Sequence, residues 1–218
     1  IYRIVGYKYP NHLLPGKFSV SATDKVQFTT GNLTGTTGNY AFASNQTESG
    51  DYYEHDNVAS VVTQMNNYSL PGAGQWMNLL GTNGINTNRP YAKNLRAFAK
   101  VNDGSNDVWC LVVAPDDAEA FDTTRHEYTL KEVNSMGLLC LPIAGYYNGD
   151  NLITTDGNYS PCTKYWSSSS SGSYLKYYQL GVSSSLDFHP TYCKGVGNIP
   201  SNDYRCPIRL VKELKSTI

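Results

Sequence analysis

The stretch YWSSSSSGSYLKYYQLGVSS, residues 165–184, decides how this chain is read. Five consecutive serines, Ser167–Ser171, have the composition of a flexible linker. An aromatic pair, Tyr165 and Trp166, stands before them, and a tyrosine-rich apolar run follows. Period-two alternation in that run puts Tyr178, Leu180 and Val182 on one face of a strand and Leu175, Tyr177 and Gln179 on the other. The choice is between a tether and a folded surface that contacts something.

Working outward, the flanking segments favour a folded domain. KFSVSATDKVQF, from Lys17, places Phe18 and Val20, then Val26 and Phe28, on one face, with a turn at ATDK. That pattern predicts a hairpin. A further strand is expected around Tyr40–Ala43, and SNQTESGDYYEHDN reads as a surface loop. Val58, Val61, Val62 and Met65 have helical spacing, with Asp56 or Asn57 as the cap. A second helix carries Trp76, Leu79 and Leu80 and stops at Gly81. NLRAFAKV, DVWCLVV, MGLLCLPIAG, SYLKYYQLGVSS and CPIRLVKEL read as strands, and EYTLKEVNSMG as a short helical turn. Strands dominate and βαβ alternation is missing, so the class is α+β. Residues 1–16 form a lead-in segment and 17–218 one domain.

The totals narrow the function. In 218 residues the net charge is -1 and only 16% are charged, so the basic footprint of a nucleic-acid binder is missing. Eighteen tyrosines, with many Ser, Thr, Asn and Gly, resemble the composition of recognition surfaces. No apolar run approaches the ~20 residues that span a bilayer. A start at Ile1 without a charged-then-apolar leader fits either a cytosolic protein or a mature or trimmed form, and the missing initial Met favours trimming.

Reactive motifs are wanting. The cysteines Cys110, Cys140, Cys162, Cys193 and Cys206 show no CxxC spacing. Cys110 and Cys140 sit in apolar runs and read as buried thiols, whereas Cys193 and Cys206 bracket a twelve-residue polar loop that a disulfide could staple. His12, His55, His126 and His189 lack metal-ligand spacing. Asp51, Glu54, His55 and Asp56 read as a solvated acidic loop rather than a metal site, and Asp116, Asp117, Glu119 and Asp122 as acids at a helix N-terminus.

Taken in order, FSVSATDKVQFTTGNL, LPGAGQWMNLL, LLCLPIAGYYNG, YWSSSSSGSYLKYYQL and IRLVKE resemble the bacterial C-type-lectin-like surface proteins common in gut Bacteroidetes. The likeness runs from Lys17 to Glu213 and extends to formylglycine-generating enzymes and retroelement-diversified variable proteins. It implies a C-type-lectin-like fold with mixed or antiparallel sheets, two or three short helices and long loops. It makes YWSSS a central strand with Trp166 in the core. It also places ligand contacts on the C-terminal face: Ser173, Tyr174 and Lys176 from the strand, and His189, Tyr192, Asn198, Asn202, Asp203 and Tyr204 from the long excursion that follows.

The calcium-lectin motifs of such folds are missing here; NDVW at Asn106 has related letters in another order. Where the formylglycine-generating relatives carry a reactive cysteine, this chain has Leu210, and Cys206 lies four residues earlier. The expectation is therefore a binding module, adhesin-like and without catalysis or cofactor, that meets an extracellular protein or glycan. A pilus or surface-layer component, fimbrial or variable in kind, and a hydrolase or oxidase on the same scaffold are the alternatives.

Overall fold

A computed structural model describes residues 12–80, 96–118, 120–157, 159–171, 174–183 and 203–214. The fold is mixed α+β, with mostly antiparallel sheets and few short helices. No helix among these residues is long and apolar enough to cross a membrane.

The first hairpin forms as its alternation dictates. β1 (Phe18–Ser19) pairs antiparallel with β2 (Lys25–Phe28), and β15 (Val211–Leu214) closes the sheet on the other side of β2. Two short strands, β3 (Leu33–Thr34) and β4 (Ala41–Phe42), pair with each other. The apolar runs give a four-stranded sheet ordered β8-β6-β7-β9, from β6 (Arg96–Asn102), β7 (Asp107–Val113), β8 (Glu127–Thr129) and β9 (Leu139–Pro142). Both faces of this sheet are covered, which is why its strands read as continuous apolar runs. Phe98, Leu111, Val113, Leu139 and Leu141 pack on one side with Phe18, Phe28 and Trp76. Ala99, Val101, Cys110, Val112 and Cys140 pack on the other with Val133.

A third cluster lies beneath a sheet ordered β11-β10-β14-β5. Its strands are β5 (Tyr53–Glu54), β10 (Tyr146–Asn148), β11 (Asn151–Ile153) and β14 (Tyr204–Cys206). The longest hairpin, β12 (Tyr159–Ser171) with β13 (Tyr174–Ser183), joins the clusters, because its alternating side chains enter different ones. Tyr165, Leu180 and Val182 belong to the first cluster, while Cys162, Trp166 and Tyr177 belong to the third. The serine run is thus strand: Ser167 is buried and the Ser168 amide donates to the Pro71 carbonyl at 3.0 Å.

Three helices stand among the described residues: α1 (His55–Gln64), α2 (Ala73–Leu80) and α3 (Leu130–Ser135). α1 begins earlier than its sequence implies. Glu54 occupies the N-cap with no side-chain cap bond, so neither Asp56 nor Asn57 caps it. Of its valines, Val58 and Val61 face the core and Val62 stays exposed. α2 buries Trp76, Leu79 and Leu80, and its expected stop at Gly81 lies outside the described residues. α3 starts on a reciprocal cap in which Thr129 and Glu132 satisfy each other's backbone amides.

Four readings need correcting. The segment from Ser44 to Asn57 is not simply surface, since Gln46 and Thr47 are buried and Tyr53–Glu54 is a strand. Asp116 does not start a helix; its carboxylate accepts from the Ser19 amide and hydroxyl and pairs with Lys25 at 2.8 Å. CPIRLVKEL is not one strand, because pairing ends at Cys206 and resumes at Val211, with Ile208, Arg209 and Leu210 buried between. Cys206 is a free buried thiol, which removes the disulfide to Cys193; Cys193 itself lies outside the described residues.

Candidate functional site: an exposed sheet face over a caged lysine

Register alone builds the surface. Leu152 of β11 pairs with Tyr147 of β10, Tyr147 with Arg205 of β14, and Arg205 with Glu54 of β5. Residues paired across a sheet share a face, so these four form one outward row over all four strands. Leu152 is 47% exposed, large for an apolar side chain. The Arg205 guanidinium lies 4.6 Å from the Tyr147 ring centroid, and the Tyr52 ring meets Tyr147 edge-on at 5.1 Å.

Local bonds fix the row. The Tyr52 hydroxyl donates to the Ala144 carbonyl at 2.7 Å. Arg205 Nη2 donates to the Gly149 carbonyl at 2.9 Å and reaches Asp150 Oδ1 at 3.5 Å. The Gly149 amide donates to the Asp203 carbonyl at 2.6 Å, tying the start of β14 to the β10–β11 turn. The result is a half-buried aromatic ring with a cation beside it, flanked by exposed carboxylates at Glu54, Asp150 and Asp203.

On the inward side of the same strands lies an enclosed charge. Lys164 is an even-numbered β12 position, like Cys162 and Trp166, so strand alternation turns it toward the third cluster. Only 3% of its surface is exposed. Its Nζ lies 3.5 Å from the ring centroid of Tyr146, 4.8 Å from Tyr204 and 4.9 Å from Tyr177. Tyr204 stacks between the other two rings, at centroid distances of 5.6 and 6.3 Å. The Cys162 and Cys206 thiols also face the amine, and Asp156 Oδ2 is 3.6 Å from Nζ. Burial pushes the Lys164 ammonium below its ordinary range, against the opposing pull of Asp156. Ring faces carry partial negative charge and offset part of the desolvation cost.

Of the contact residues expected from sequence, Tyr204 belongs to this cage and Asp203 is exposed at its rim. The structure brings those two together. Tyr174 and Lys176 stand in β13, their side chains outside the described set, and Ser173, His189, Tyr192, Asn198 and Asn202 lie outside the described residues. Tyr147, Arg205, Tyr52 and Lys164 were not singled out by sequence reasoning. The alternation of GYYNGD could have separated inward Tyr146 from outward Tyr147, but no local signal announces a lysine inside a core.

The thiols point away from nucleophilic chemistry. Burial raises the Cys162 thiol to about 11 and pushes Cys206 and Cys110 up as well, opposite to an activated cysteine. No group of three or more His, Cys, Asp or Glu among the described residues is placed to hold a metal ion. A polar cleft of about 300 Å³ beside β8 is lined by Lys100, Asn102, Asp107 and Glu127 and by the Arg125–Glu132 ion pair.

Comparisons with family models, with curated proteins and with solved structures found no match to this chain.

Proposed function

We propose that this chain is a secreted or cell-surface binding module, adhesin-like, that recognises an extracellular protein or glycan through the face carrying the start of β14. The observation supporting this is the outward row Leu152, Tyr147, Arg205 and Glu54, set by the strand register, with Arg205 bonded to the Gly149 carbonyl. An aromatic ring offers contact area at little entropic cost, and the flanking guanidinium and carboxylates offer directional hydrogen bonds. Sugar rings and aromatic side chains both meet such a platform well. The ordered segment likeness to C-type-lectin-like surface proteins supports the same reading and the finer fold assignment.

The test is binding to a glycan array and to a panel of extracellular matrix proteins, with wild type and a Tyr147→Ala/Arg205→Ala double variant. A central aromatic and an arginine are typical interface anchors, so the expected loss is about tenfold or more. A ligand held equally well by wild type and the folded variant moves the site off this face. A wild type that binds nothing in either panel overturns the adhesin-like reading.

A further inference from the structure

Lys164 and Asp156 form an ion pair whose two ends live in different media. The amine end is walled by Tyr146, Tyr177 and Tyr204 and is 3% exposed, while the Asp156 side chain is 43% exposed. Asp156 Oδ2 is turned inward, 3.6 Å from Lys164 Nζ. The same oxygen accepts from the Tyr146 hydroxyl at 3.2 Å and from Gln179 Nε2 at 3.1 Å. From the geometry we propose that Lys164 and Asp156 condense to an intramolecular isopeptide bond, a covalent cross-link from β12 to the turn before it.

Each requirement of the reaction has a counterpart in the cage. An amine attacks only with its lone pair free, and burial among apolar rings favours the neutral form. A carboxyl carbon accepts attack when charge building on its oxygen is stabilised by preset donors; the Tyr146 O–H and Gln179 N–H converge on Oδ2. The two reacting groups are held next to each other in the fold, which removes most of the entropic barrier. The leaving oxygen is the other one, Oδ1, on the more exposed side chain, so departing water has a way out.

The balance closes without any co-reactant. The Lys164 ammonium gives one proton to the Asp156 carboxylate, which makes a neutral amine and a neutral acid. Nζ bonds to Cγ, the Cγ–Oδ1 bond breaks, and Oδ1 leaves as water with two of the three ammonium hydrogens. The third stays on the amide nitrogen. Two charges disappear from a site where the amine's charge is costly, so the product fits the cage better than the ion pair.

Proximity alone does not single out this pair. Lys25 Nζ lies closer to Asp116 Oδ2, at 2.8 Å, but the Lys25 side chain is 50% exposed. Its amine stands half in solvent, where no ring cage holds it against the carboxyl carbon and excludes water, so no bond is expected there.

Intact-mass measurement of the denatured full chain decides the matter. Wild type incubated folded at neutral pH is expected to weigh one water less than its sequence, and a protease digest to yield a branched peptide joining Lys164 to Asp156. Lys164→Arg and Asp156→Ala are each expected at full sequence mass, with no branched peptide. Folded wild type at full sequence mass overturns the proposal, whatever the variants do. So does a water loss that persists in Lys164→Arg.

Discussion

Gln46 shows how much one side chain can hold. Its Nε2 donates to the Leu138 carbonyl at 3.0 Å and to Asn134 Oδ1 at 3.2 Å, and its Oε1 accepts from the Cys140 amide at 2.9 Å and from Arg209 Nη2 at 2.8 Å. Arg209 is fully buried, bonds also to Asn32 Oδ1 at 3.2 Å, and faces no carboxylate among the described residues. Burial pulls its guanidinium down to about 10. Gln46→Ala strands several buried donors and acceptors at once, and the expected loss is about 3 kcal/mol in urea-unfolding free energy. Glu132 gives a pH signature. The Thr129 amide, the Arg125 guanidinium and the Thr129 hydroxyl hold its carboxyl down to about 2 from an ordinary 4.5. A depressed carboxylate adds stability that is complete above the unfolded value and lost as pH falls toward the folded one. Acid titration of stability is therefore expected to be shallower in Glu132→Gln than in wild type between pH 4.5 and 2, as read by urea midpoints. The ion pair is about 40% exposed, so solvent screening keeps the effect small. Neither Gln46 nor Arg209 stands out in sequence. Gln46 lies in the polar run SNQTES, which reads as surface, and Arg209 is a lone cation between Ile208 and Leu210; only their partners, far along the chain, show them to be buried.

At the scale of elements, alternation carried most of the information. The hairpin at Phe18–Phe28 and the opposite facing of Tyr177 and Leu180 in β13 follow from period-two patterning, while the apolar strands β6, β7 and β9 follow from runs buried on both faces. It failed where the pattern is interrupted by pairing rather than by composition. Between Cys206 and Val211 the apolar run continues, but the chain leaves one sheet and joins another. The serine run is the reverse case: its composition says linker, while the ladder to β13 and the Ser168 bond to Pro71 make it structure. In hydrogen exchange, the amides of Trp166 and Ser168 are expected to exchange as slowly as those of β7, because both are bonded to backbone outside their own hairpin. Exchange at the rate of an unbonded loop would contradict the bonds to Pro207 and Pro71. Trp166, 3% exposed and donating from Nε1 to the Tyr53 carbonyl at 2.7 Å, ties the hairpin to β5. Trp166→Ala is expected to cost about 4 kcal/mol in thermal or urea unfolding.

For the molecule as a whole, the β12–β13 hairpin serves two hydrophobic clusters with one pair of strands. Those clusters should melt together. Tryptophan fluorescence reports both, since Trp76 belongs to one and Trp166 to the other. The expectation is coincident urea transitions by fluorescence and far-UV circular dichroism, and separated midpoints would show that the halves open independently. The candidate face was less legible than the fold. The likeness to lectin-like proteins implied contacts at Asp203 and Tyr204, which stand beside Arg205 of the outward row. The row from Leu152 to Glu54 appears only when β5, from the N-terminal quarter, pairs beside β14.

Cys110, Cys140, Cys162 and Cys206 are free and fully enclosed. Folding through these four positions asks nothing of an oxidising compartment, so a bacterial cytoplasm under reducing conditions is a suitable place to make the protein. The same sulfurs are also built-in clocks: an alkylating reagent reaches each one only when the wall around it parts, and the rate at which mass is added reads the breathing of that wall.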